Sequence, residues 1–241
     1  KCFYGYLFSE YLRGYDFWGY CDCDVIFGDI GKFLPETLFS EYDKLLRLGH
    51  LSFVRNVPEI NENFRKYDTY KVVLTSPVVY AYDEAVQGYR LGFAGELLEQ
   101  GYRFFEKDAL VADVDYRHYP FRIITSPDEC CIFSYENGKL YKLYKKDNET
   151  VWEEVMYVHL QKRKMQISEQ IEGNRFLIYP NVFAPLKAEL LEQWTFWENA
   201  STEREDYFDM KAERWAYFKR DIQRFFHEPC KLKSLRYRFR K

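Results

Sequence analysis

The 241 residues are 47% hydrophobic and 20% aromatic, which excludes a disordered chain and provides for a substantial buried core. Thirty-five Lys and Arg against 38 Asp and Glu leave a formal charge of −3, so the global balance makes no case for nucleic acid. No apolar run is long enough to span a bilayer, and the opening Lys1-Cys2-Phe3-Tyr4 lacks the basic-then-apolar pattern of a secretory signal.

In chain order, Phe3, Leu7, Phe8, Tyr11 and Leu12 recur at helical spacing, which predicts an amphipathic helix over 3–13 that stops at Gly14. The aromatic run from Tyr15 to Cys21 predicts a buried strand that runs out at Asp22-Cys23-Asp24. A second apolar run, Val25-Ile26-Phe27, follows before Gly28-Asp29. Leu38, Phe39, Tyr42 and Leu45 give a helical pattern over 36–46. Strands are expected at 50–54, broken by Val57-Pro58, and at 71–75, stopped by Ser76-Pro77. Residues 91–100 are expected to be helical, with Gly101 where a C-terminal cap belongs, and 102–105 return to strand composition.

From Cys130 the pattern changes. Cys131 to Tyr135 and Leu140 to Tyr144 flank Asn137-Gly138, the residue pair of a type I′ hairpin turn. Residues 153–159 are expected as a third strand able to join that hairpin. Beyond Pro185 the chain turns helical, and Tyr207, Met210, Trp215, Phe218, Ile222 and Phe225 carry amphipathic spacing over 203–226. The expected organisation is one mixed α/β domain over 1–185 with a helical extension over 186–241.

Six cysteines, at 2, 21, 23, 130, 131 and 230, form no Cys-x-x-Cys pair, so zinc-ribbon spacing is absent and reduced thiols in a cytosolic protein are expected. Tyr and Phe number 22 and 21. Tyrosine, apolar at one end and hydrogen-bonding at the other, suits carbohydrate, though the rings equally suit a core.

The chemistry centres on Asp22-Cys23-Asp24. Ligands of open α/β sheets gather at strand carboxyl ends, and hard divalent cations commonly bridge a carboxylate to substrate phosphates. An acid pair there also suits a solvated turn. Its context is more specific. Tyr15-Asp16-Phe17-Trp18-Gly19-Tyr20-Cys21-Asp22-Cys23-Asp24-Val25-Ile26-Phe27-Gly28-Asp29 resembles the signature of a bacterial glycosyltransferase-like family with a GT-A fold. Weaker similarity continues through Gly49-His50-Leu51, Tyr82-Asp83-Glu84, the segment 135–140 and the segment 159–165, so the resemblance covers roughly residues 3–165.

The resemblance implies an α/β fold, a GT-A-like mixed sheet flanked by helices. It also implies metal-dependent transfer from a nucleotide-sugar, a UDP-sugar, to a glycan or lipid-linked glycan in polysaccharide assembly. Asp24 would ligate Mn2+ or Mg2+, Asp22 would contact the metal or the ribose, and His159 would add a further ligand. Lys162, Arg163 and Lys164 would pair with the diphosphate, although His159 and this basic run also suit a solvated surface. Asp83 and Glu84 would orient or deprotonate the acceptor hydroxyl, or cap a loop. Asp29 suits a helix cap.

One departure stands out. GT-A enzymes bind base and ribose with strands preceding the Asp-x-Asp strand, and here about one helix precedes it. The expectation is therefore an N-terminally incomplete domain whose gene product extends upstream. The alternative is a non-catalytic GT-A remnant that holds carbohydrate or a partner. A metal-dependent phosphohydrolase ranks below both, since no second cluster of Asp and His for a two-metal site is visible. The tail, 231–241, mixes cations with Leu, Tyr and Phe. It suits peripheral contact with anionic lipid at the inner face of the membrane, or a solvated terminus.

Overall fold

The computed structural model describes residues 1–76, 80–84, 86–87, 90–107, 111–168, 171, 173–203 and 210–227. The tail 231–241 and Tyr207 of the expected amphipathic pattern lie outside the described residues. The fold is mixed α/β, with helices beside mixed and antiparallel sheets. The chain forms two compact units, residues 1–22, 35–106 and 211–241 in one and 23–34 and 107–210 in the other.

In the first unit, α1 (Tyr4–Leu7) is a single helical turn continued by irregular turns to Gly14, shorter than the expected 3–13. Strand β1 (Phe17–Cys21) forms where the aromatic run predicted it. It lies at the edge of a four-stranded sheet, and its burial alternates by face: Trp18 and Tyr20 are buried, Gly19 and Cys21 exposed. Its partner β4 (Leu51–Arg55) pairs antiparallel, Trp18 opposite Val54. The sheet continues through β3 (Lys44–Leu45) to β7 (Phe104–Phe105).

The expected helix over 36–46 is therefore corrected to α3 (Glu36–Glu41) followed by a strand. The break falls at Tyr42, whose backbone is extended at φ −118° and ψ 153°, and Leu46 at φ 62° then ends the short strand. The fully buried Lys44 donates from Nζ to the Leu46 carbonyl at 2.6 Å and to Ser52 Oγ. Burial pulls that ammonium down to about 8.

Then come α4 (Pro58–Asn61) with Pro58 at its start, a 3-10 turn at Asn63–Lys66, and α5 (Thr69–Thr75). The strand expected at 71–75 is thus a helix. Its β-branched Val72, Val73 and Thr75 mimic strand composition, but Tyr70 and Val73, three residues apart, pack together on the core. A small hairpin, β5 (Val86–Gln87) and β6 (Arg90–Leu91), precedes α6 (Phe93–Glu99). Gly101, at φ 86°, ends α6 as the sequence predicts.

Trp18, Tyr20, Val54, Ile60, Phe64, Tyr82, Phe93 and Leu97 make the core of this unit. Inside it, the Tyr82 hydroxyl donates to buried Glu96 Oε2 at 2.7 Å, and burial raises the Glu96 carboxyl to about 7. From residue 211 onward, α9 (Met210–His227) also belongs to this unit.

The second unit opens with β2 (Val25–Phe27) and α2 (Ile30–Phe33), which Asp29 caps by accepting from the Lys32 N–H at 3.1 Å. Next come β8 (Val111–Asp113), β9 (Phe121–Ile123), and the hairpin of β10 (Ser126–Glu136) and β11 (Lys139–Lys146). Asn137 at φ 50° and Gly138 at φ 90° make the expected I′ turn.

The third strand expected at 153–159 is two strands. β12 (Glu149–Val155) extends the hairpin, whereas β13 (Tyr157–His159) leaves it and lies between β2 and β8. The seven-stranded sheet is completed by β14 (Gln166–Ile167), β15 (Arg175–Tyr179) and β16 (Val182–Pro185). Helices α7 (Ala188–Glu192) and α8 (Trp194–Ser201) follow, as the composition beyond Pro185 predicts. Trp197 and Ala200 of α8 pack on Ile132, Leu143 and Leu177.

Candidate functional site

In the second unit, the register of the three-stranded sheet assembles a polar cluster. β13 is central, with β8 parallel on one side and β2 antiparallel on the other. His159, the last residue of β13, stands opposite Asp113, the last of β8, and opposite Val25, the first of β2. Asp24 immediately precedes Val25 and is anchored there by the Leu160 N–H, which donates to its carbonyl at 2.9 Å. One end of the sheet therefore carries Asp24, His159 and Asp113 together, at the carboxyl ends of the two parallel strands.

The two ring nitrogens of His159 face different carboxylates. Nδ1 lies 2.9 Å from Asp113 Oδ1 and Nε2 lies 3.4 Å from Asp24 Oδ1. Gln161 Nε2 donates to the same Asp113 oxygen at 2.7 Å. With Asp113 accepting from Nδ1–H, the Nε2 lone pair turns toward an anionic oxygen. Such an approach is satisfied by a proton on Nε2 or by a cation shared between the two atoms.

The donor chemistry fits the cation. Oxygen and imidazole donors, each about 2.1 Å from one ion at bond angles between about 90° and 110°, are separated by about 3.0–3.4 Å. The Asp24 side chain is 40% exposed and the His159 side chain 12%, so the pair is held from the protein side and open on the other.

The remaining sequence-derived site residues are placed less uniformly. Asp22 belongs to the first unit, where its N–H donates to the His50 carbonyl at 3.0 Å and its carboxylate pairs with Lys1 Nζ. Asp83, half-buried, and Glu84, exposed, also belong to the first unit.

In the basic run, Lys162 and Lys164 are exposed, and Lys162 Nζ sits 4.0 Å from the Tyr116 ring centroid. Arg163 differs. It is 9% exposed, and its guanidinium donates to the carbonyls of Tyr119 at 3.0 Å, Asp115 at 3.3 Å and His118, and to Asn181 Oδ1 at 3.3 Å. Those bonds tie the loop 115–119 to the segment after β13. Asp113 and Gln161 were not foreseen as site residues. The available signal was Val111-Ala112-Asp113, an apolar run ending in an acid, the same logic that singled out Asp22 and Asp24.

The fold and cluster define a mixed α/β protein with a carboxylate–imidazole–carboxylate array at a sheet end. The chain belongs to DUF6625, a family of unknown function, whose model matches residues 1–187. No curated protein and no solved structure matches the chain.

Proposed function

We propose that the chain is a divalent-cation-dependent glycosyltransferase of GT-A-like organisation. It would transfer sugar from a nucleotide-sugar donor, a UDP-sugar, to a polysaccharide or glycolipid acceptor on the cytoplasmic side of a membrane. The observation that carries this reading is the 3.4 Å approach of Asp24 Oδ1 to His159 Nε2, two residues 135 positions apart in the chain. A cation bound there would offset the negative charge that develops on a departing nucleoside diphosphate.

The chain's own residues take distinct parts. Asp24 and His159 hold the ion, and Asp113 fixes the imidazole so that Nε2 faces it. Asp22, two residues before Asp24, takes the ribose or the ion. Lys162 and Lys164 pair with phosphate oxygens. Asp83 or Glu84 orients the acceptor hydroxyl and accepts its proton.

Calorimetry of UDP with Mn2+ tests the reading. Binding is expected to need the ion and to be lost in both Asp24→Ala and His159→Ala. UDP binding that persists without the ion and in both variants overturns it.

The commitment of Arg163 to backbone carbonyls favours a second reading, because it removes one cation from the expected diphosphate grip. In that reading the chain is a non-catalytic carbohydrate-binding relative. Glycan-array binding with no hydrolysis or transfer from any nucleotide-sugar is its expected result.

A further inference from the structure

Charge is distributed unevenly along this acidic chain. Residues 210–241 hold 11 Lys and Arg against three Asp and Glu, a net of +8. Since the whole chain carries −3, residues 1–209 carry −11. The described part of the basic segment is α9, an 18-residue helix with five basic and two acidic residues.

Three of its large apolar side chains face solvent: Trp215 is 57% exposed, Phe218 54% and Ile222 42%. At 100° per residue, positions 215, 218 and 222 fall within an arc of about 60°, so they form one stripe. Trp215 and Phe218 stack with ring centroids 5.6 Å apart, and Lys219 Nζ lies 5.4 Å from the Trp215 ring. No helix among the described residues is long and apolar enough to cross a membrane.

We infer that α9 is an interfacial helix that docks on an anionic lipid surface, inserting Trp215, Phe218 and Ile222 between headgroups while Arg214 and Lys219, which flank the stripe on either side, face the lipid phosphates. A narrow aromatic stripe on a cationic helix has the composition of elements that lie in the plane of a bilayer interface. The charge of the segment selects the occupant. A second copy of α9 would bring two strongly cationic segments together, which like-charge repulsion opposes. An anionic bilayer answers both the apolar stripe and the net charge. This surface is independent of the Asp24–His159 cluster and of the reaction proposed for it.

The test uses the full chain and phosphatidylcholine vesicles with and without phosphatidylglycerol. The parent is expected to cosediment only with the anionic vesicles and to be released as salt rises. The triple variant W215S/F218S/I222S alters exposed positions, so it should keep the parent's circular dichroism. It should bind at least about tenfold more weakly, because the lost rings no longer leave water. Brominated lipid should quench parent tryptophan fluorescence, and W215F should remove that quenching.

Equal vesicle binding by parent and triple variant would overturn the inference, as it would show adsorption by charge alone. So would light scattering that finds the parent dimeric and the triple variant monomeric, since the stripe would then be an interface between copies.

Discussion

His159 Nδ1 lies 2.9 Å from the Asp113 carboxylate, at the same register position on neighbouring parallel strands. A carboxylate behind the imidazole fixes its tautomer and its ring plane, and losing such a partner typically weakens metal binding about 10–100-fold. Asp113→Ala is expected to lower Mn2+ affinity by about that factor in a calorimetric titration. Asp113→Asn, which keeps an oxygen to accept from Nδ1–H, should lose less. Parent-like affinity in Asp113→Ala would remove the orienting role.

Arg163 and Lys162 are adjacent in sequence and opposite in consequence. Arg163→Ala removes the guanidinium that donates to the carbonyls of Asp115, His118 and Tyr119 and is expected to cost about 3 kcal/mol in urea unfolding. Arg163→Lys should recover little, because an ammonium cannot reproduce the planar fork. Lys162→Ala, at an exposed position, should change stability by no more than about 0.5 kcal/mol while weakening UDP binding.

Two glycines near the motif segments separate backbone crowding from side-chain crowding. A Cβ at Gly28 would stand 2.9 Å from Leu140 Cβ, 3.0 Å from Leu140 N and 3.0 Å from the Val155 carbonyl. Two of those neighbours are backbone atoms of paired strands and cannot retreat. Gly28→Ala is therefore expected to lose about 2 kcal/mol, a typical overpacking cost. A Cβ at Gly49 would meet Asp83 Oδ2, the end of a side chain that can rotate away, so Gly49→Ala should lose less. Thermal denaturation of the two variants side by side checks the order.

Glu96 gives the first unit a pH dependence of definite sign. Its folded-state carboxyl is raised by burial to about 7 from an ordinary 4.5. Below about 4.5 both folded and unfolded states hold the proton and no penalty exists. As pH rises toward 7 the unfolded chain releases the proton first, so its contribution to stability falls, by up to about 3 kcal/mol. Above 7 the loss is constant. Glu96→Gln keeps an acceptor for the Tyr82 hydroxyl and cannot ionise. The difference in urea midpoint between Glu96→Gln and parent should therefore grow from pH 4.5 to 7 and then level off.

Local features were legible in the sequence. The Asn137-Gly138 turn, the Gly101 cap and the strand–acid–strand order around Asp22 and Asp24 each depend on a few neighbouring residues. Features set by distant partners were not. Residues 69–75 look like a strand until Tyr70 and Val73 are seen on the core, and Lys44–Leu45 become a strand only because β4 and β7 flank them. The break at Met156, which sends β13 away from the hairpin, leaves no local mark. For the same reason Asp113 escaped notice: its meaning comes from pairing with a strand more than forty residues later.

The pairing of β2 with β13 joins Ile26 to Val158, 132 positions along the chain. During synthesis the first carboxylate emerges long before the imidazole that meets it. Closing so long a loop delays folding, because its entropy is lost before the contact forms. A polypeptide halted before residue 157 would carry the acidic motif intact without the strand and the imidazole that meet it.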